Sequence, residues 1–107
     1  MVTAKQIIES MERWAPPHYA ESWDNVGLMV GDRNAVVTGV LTTLDVTEEA
    51  IAYAIEHNYN LIVSHHPLIF KGLKQLSCDT VQGRMINQLI QHKIAVYSAH
   101  TNLDIAP

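Results

Sequence analysis

Two short runs, "LIVS" at residues 61–64 and "IAVYS" at 94–98, are apolar at nearly every position, and each follows a stretch with helical periodicity. A strand that is apolar on both sides of its pleat must be covered on both faces, which points to a sheet packed between helices. Ahead of the first run, "EEAIAYAIEHN" carries Ile51, Ala54 and Ile55 on one stripe; ahead of the second lies "TVQGRMINQLIQHK". With "AVVTGVLTTLD" at 35–45, rich in β-branched residues, the order becomes strand, helix, strand, helix, strand. That order belongs to parallel strands joined by crossover helices. The expected class is α/β: a mixed, mainly parallel sheet flanked by helices.

Local signals place the remaining elements. Thr3 is expected to cap a helix over "AKQIIESMERW", with Ile7, Ile8, Met11 and Trp14 at helical spacing and Pro16 and Pro17 ending it. "WDNVGLMVGD" alternates Val26, Leu28 and Val30, and "GDRN" reads as a turn, so a hairpin is expected between this strand and the 35–45 strand, with the first strand antiparallel at one side of the sheet. Asp45 or Thr47 is expected to cap the helix that follows, and Asp79 with Gln82 marks the start of the next one. No repeat, low-complexity tract or linker interrupts the 107 residues, which read as one α/β unit.

Composition excludes several classes. A net charge of −4 argues against the broad basic surface that nucleic-acid binding requires. No run reaches the roughly eighteen apolar residues needed to span a bilayer, and "MVTAKQIIES" has no apolar segment behind a basic one. The lone cysteine, Cys78, cannot form an internal disulfide and is read as a spectator thiol. A cytoplasmic location is the expectation from these features.

Chemistry concentrates at the strand ends. If the three strands run parallel, Asp45, the pair His65 and His66, and His100 with Asp104 all fall at or just beyond strand carboxyl ends, the edge where open α/β sheets bind ligands. Three sequence-distant segments then bring together two carboxylates and three imidazoles, a donor set suited to zinc, manganese, iron or nickel. In "SHHP", a chain bending off the strand turns both histidines to one side, and Pro67 stiffens the bend. His100 and Asp104, four apart in "HTNLD", share a face if that segment is helical. Five donors exceed one tetrahedral site, so two metals roughly 3.5 to 4 Å apart are expected, a spacing that suits activation of a bridging water. Asp45 has the competing role of helix cap. Trp23, Asp24 and Asn25 are read as a packed turn within possible reach of the site, and Lys71 with Lys74 as a solvated loop or a local phosphate contact. His18, His57 and His92 are assigned no function. A Walker-type phosphate loop, a Gly-x-Gly-x-x-Gly fingerprint and a Gly-x-Ser-x-Gly elbow are all absent.

The segments "SWDNVGLMVGD", "LDVTEEAIAYAI", "LIVSHHPLIFKGLK" and "YSAHTNLDIA", in this order, resemble the N-terminal half of the GTP cyclohydrolase I type 2 family, also called Ngg-one-interacting-factor-three-like proteins. The resemblance runs from about Ile7 to Ala106. It implies a di-metal site with His65, His66, His100 and Asp104 among the ligands, in an α/β protein assembling as a toroidal homohexamer. It also implies a further histidine and glutamate from a late His-x-x-x-Glu motif, which this sequence does not contain, so the chain is expected to be part of a longer parent and inactive alone. For that parent the expected function is metal-dependent hydrolysis of a small molecule, GTP being the substrate the family name implies. The alternative is a metal-binding scaffold or regulatory partner without turnover. A third reading makes the histidines a pH-sensitive structural cluster.

Overall fold

A computed structural model describes residues 1–106. The described residues form four strands, β1 (Gly27–Val30), β2 (Val40–Thr43), β3 (Leu61–Ser64) and β4 (Ala95–Ser98), four α-helices, α1 (Ala4–Trp14), α2 (Glu48–Glu56), α3 (Val81–Gln91) and α4 (Thr101–Ile105), and one 3-10 turn, Pro17–Tyr19. One sheet holds all four strands in the order β1-β4-β3-β2. β2, β3 and β4 are parallel and in register, with Thr43 opposite Ser64 and Ser64 opposite Ser98; β1 runs antiparallel to β4. The α/β expectation holds, with α2 and α3 as the two crossovers.

The pleat sorts the strand residues onto two faces. Ile62 and Val96, both fully buried, join Ile51 and Ala54 of α2 and Ile86 and Leu89 of α3 in the larger core. Their neighbours Val63 and Tyr97 point the other way, to Ile8 and Met11 of α1 and Leu103 of α4. Each such burial contributes about 1.5–3 kcal/mol, which is why β3 and β4 lack the polar alternation of a half-exposed strand. The Tyr97 hydroxyl donates to Glu12 Oε2 at 3.3 Å, and burial, reinforced by the Glu12 charge, pushes its pKa far up.

The caps follow the side chains closest to each helix start. Thr3 and Gln6 form a reciprocal capping box on α1. Thr47, rather than Asp45, caps α2, accepting from Ala50 N at 3.0 Å. Thr80, rather than Asp79, caps α3, and Gln82 instead donates from Nε2 to the Leu68 carbonyl. Thr47 is thus the one of the two expected candidates that caps α2, and the Asp79 expectation falls one residue from the true cap of α3.

The expected hairpin does not form. β1 pairs with β4, and β2 lies at the opposite edge. The connection explains this: nine residues separate Val30 from Val40, and they spend their backbone groups elsewhere. Ala35 O and Arg33 O accept from Ala4 N and Lys5 N, and Val37 N donates to Val2 O. Thr38 is bound to Asn58 and Asn60, so only residues 40–43 of the expected 35–45 strand enter the sheet. The bend after β1 needs glycine: Gly31 has φ +109°, and a Cβ there would meet Ala95 Cα at 2.5 Å.

Candidate metal centre

The parallel register brings three chain segments to one edge. β3 runs into the bend at His65 and His66, and the ladder continues for two residues: His65 N donates to Thr43 O at 3.1 Å and His66 N to Leu44 O at 2.9 Å. β4 ends at Ser98; the N–H of Ala99 donates to Ser64 O, and His100 follows as the residue preceding α4. Backbone hydrogen bonds therefore fix all three histidines before any side-chain interaction is counted.

Their rings converge. The centroids of His65, His66 and His100 lie 5.3, 5.3 and 5.5 Å apart in the three pairs, and one ring nitrogen from each lies within 4.8 Å of the other two. Every Nδ1 faces an oxygen that can only accept. His65 Nδ1 is 3.0 Å from Ala99 O, His66 Nδ1 2.6 Å from Asp45 Oδ1, and His100 Nδ1 3.1 Å from Asp24 Oδ1. A neutral imidazole in such a pair must carry its proton on Nδ1, leaving the Nε2 lone pair free. All three rings are thus set to the same tautomer, and carboxylate or carbonyl partners of this kind orient metal-binding imidazoles.

Asp104, on α4, places Oδ1 3.5 Å from His65 Nε2. With Nδ1 protonated, the Nε2 lone pair and the carboxylate face each other as two acceptors, an arrangement relieved by a cation between them. Asp104 is 60% exposed and His66 45%, so this side of the cluster opens to solvent, whereas the Asp24 side chain is fully buried.

Asp24 is the most heavily bonded residue of the site. Its burial alone would raise the carboxyl pKa; Thr101 Oγ1 at 2.7 Å, Thr101 N at 3.0 Å, His100 and Asn25 N donate to it and outweigh that penalty, holding the pKa at about 2. It therefore orients His100 and caps the short helix that carries Asp104. Asn102, also fully buried, accepts from His100 N and donates to Ala15 O, tying this corner to the end of α1. Beneath the histidine bend, Ser64 Oγ donates to His66 O at 3.0 Å and so receives the Ser98 hydroxyl at 2.8 Å.

Of the residues singled out in the sequence, His65, His66, His100, Asp104, Asp45 and Asp24 meet here. Asn25 reaches across to Ile69 O at 2.6 Å, and the Trp23 ring lies 6.4 Å from that of His100. Lys71 sits exposed on the following loop, and among the described residues nothing ties it to the cluster. His57 stacks on Tyr53 and His18 packs against Tyr19. Cys78 is exposed in the loop before α3. Ser64, Ser98, Thr101 and Asn102 were not anticipated; the available signal was polar residues at the ends of otherwise apolar strands and beside His100. Among the described residues no helix is long and apolar enough to cross a membrane.

Known proteins share this arrangement of chain. The model of the Duf34/NIF3 (NGG1p interacting factor 3) family matches residues 2–107. The chain is 47% identical over 105 residues to a Bacillus subtilis (strain 168) protein named GTP cyclohydrolase 1 type 2 homolog, covering 98% of this chain and 28% of that protein. A Staphylococcus aureus (strain MRSA252) protein of the same name is 53% identical over 101 residues, covering 94% and 27%. Among solved structures, Staphylococcus aureus protein SA1388 superposes with a TM-score of 0.94 at 48% identity, covering 99% of this chain and 34% of that one. Reduced HcgD from Methanocaldococcus jannaschii superposes at 0.91 with 34% identity, covering 98% and 42%. The chain spans little more than a quarter of the length of these curated relatives. With a family model matched along nearly its whole length and a fold shared with solved relatives, this chain belongs to the Duf34/NIF3 family.

Proposed function

We propose that His65, His66, His100 and Asp104 hold a divalent transition-metal ion, and that the full-length protein is a metal-dependent hydrolase. The observation that carries the reading is that each of the three Nδ1 atoms faces a fixed acceptor oxygen, from which it follows that the neutral rings leave three Nε2 lone pairs for a cation. The donor set fits. Imidazole nitrogens and one carboxylate make the four ligands a tetrahedral ion takes, and two donors each about 2 Å from such an ion lie a little over about 3 Å apart, close to the His65–Asp104 separation of 3.5 Å. A second ion, implied by the resemblance, needs donors beyond these residues. Zinc, manganese, iron and nickel all suit the set.

When bound, the metal supplies Lewis-acid activation of a water and of the bond under attack. The protein's part is positioning. Asp24 and Asp45 fix His100 and His66 and add negative charge around the cation, while Asp104 faces solvent, where a substrate enters. The hydroxyls of Ser64, Ser98 and Thr101 are engaged in hydrogen bonds, and Cys78 lies outside the cluster, so water is the nucleophile the site favours. The relatives' name makes GTP the first substrate to assay, and the homohexamer and cytoplasmic location belong to the same proposal for the full-length protein.

The test is metal content per chain by plasma mass spectrometry, on protein purified without an affinity tag, for wild type and His65→Ala/His100→Ala. One or two transition-metal ions per wild-type chain, lost in the double variant, supports the centre. A folded wild type that takes up no metal sinks it. Metal uptake by the full-length protein without turnover on a broad substrate panel favours the scaffold reading over the hydrolase.

A further inference from the structure

Two of the exposed aromatics of this chain, Trp23 and Phe70, meet beside the centre. Trp23 is 60% exposed and Phe70 44%, yet their rings lie 6.1 Å apart at 74°, and Trp23 lies 6.4 Å from His100 at 80°. The two come from different segments, Trp23 from the turn before β1 and Phe70 from the loop after the histidine bend. Asn25 Nδ2 locks those segments together through Ile69 O at 2.6 Å. Between Trp23 and Asn25 stands Asp24, whose carboxylate is held by Thr101 and His100. The tryptophan is therefore followed by two anchored residues while its own ring stays in solvent, a preorganised apolar surface beside the imidazole cluster.

We propose that Trp23 and Phe70 form a stacking corner that binds a planar aromatic or heteroaromatic ring of the substrate and presents the bond to be hydrolysed to the His65–His66–His100 centre. Near-perpendicular rings offer a ring face as floor and a second ring as side wall, the geometry in which an inserted planar ring gains both stacked and edge contacts. Stacking on an aromatic side chain tolerates many ring types, so the corner selects for planarity and leaves the choice of ring to other contacts. The proposal deepens the hydrolase reading and rests on it for the reaction; ring binding itself needs no metal, which lets the two be tested separately.

Naphthalene-2-carboxylate and its decahydro analogue carry the same anionic group and differ in ring planarity. Their binding is followed by NMR titration on metal-free and on zinc-loaded protein, reading dissociation constants and the upfield ring-current shift of the probe protons. The expected result is about tenfold tighter binding of the planar probe, with upfield shifts, in both states. Trp23→Ala removes the preference, Phe70→Ala reduces it, and Trp23→Phe keeps most of it, with circular dichroism unchanged. His65→Ala, which removes a proposed metal donor, leaves the preference intact; that result supports the corner even where no metal is taken up. Equal affinity for the two probes, or a preference that survives Trp23→Ala, overturns the proposal. So does a Trp23→Ala effect confined to sedimentation, with no probe shift in wild type, since that pattern marks a contact between copies of the chain.

Discussion

A carboxylate with a depressed pKa ties stability to pH. Asp24 ionises at about 2 in the folded chain against an ordinary value of 3.8, so its charged form contributes stability that is fully present above about pH 4 and is lost as pH falls towards 2. A shift of this size corresponds to about 2 kcal/mol. Urea unfolding of metal-free protein between pH 5 and pH 2 is expected to show that loss, and Asp24→Asn to flatten it while lowering stability at pH 7. The Asp45 side chain is 57% exposed and, among the described residues, bonds the ring of His66 alone. Asp45→Asn should change stability by less than about 0.5 kcal/mol. Zinc affinity, measured by competition with a chelating dye, is expected to fall about 10- to 100-fold, the usual effect of removing a group that orients a ligating imidazole.

At the scale of elements, α3 carries an informative glycine. In a helix interior Gly→Ala ordinarily stabilises by about 1 kcal/mol. A Cβ on Gly83, however, would run into the Ser77 carbonyl oxygen, a backbone atom of the loop packed against the helix. Gly83→Ala is therefore expected to destabilise by about 1–3 kcal/mol, the range for overpacking, and thermal unfolding gives the sign directly. The elements were legible in the sequence wherever one signal dominated: the apolar runs at Leu61–Ser64 and Ala95–Ser98, and the amphipathic stripes of Ile51 and Ala54 and of Ile86 and Leu89. The partner of β1 was not legible. Short-range turn chemistry in "GDRN" favoured a hairpin, whereas the pairing of Leu28 with Tyr97 bridges a long stretch of sequence and leaves no local mark. The candidate site divides the same way. Its ring donors follow from strand ends, but the assignment of Asp45 to His66 became clear only once Thr47 was seen to cap α2.

For the whole molecule, the proposed centre joins both halves of the chain, so occupancy should stabilise the fold globally. At a free zinc concentration a hundredfold above the dissociation constant, linkage adds about 2.7 kcal/mol. Chelator at pH 7.5 is expected to lower Tm and zinc to restore it in wild type, with neither effect in His65→Ala/His100→Ala; a chelator-insensitive Tm in wild type would instead favour the pH-sensitive structural cluster. The bond between Asp24 and Thr101 carries a kinetic consequence. Residues 77 positions apart must meet before His100 is oriented, so the chain closes a long loop to finish the site. β3 and its histidine bend can assemble from nearer neighbours, but the third imidazole is set only when the N-terminal turn docks on the end of β4. Metal uptake during refolding would then report the last event of folding rather than the first, and a nascent chain would remain a poor metal trap until residue 104 had been made.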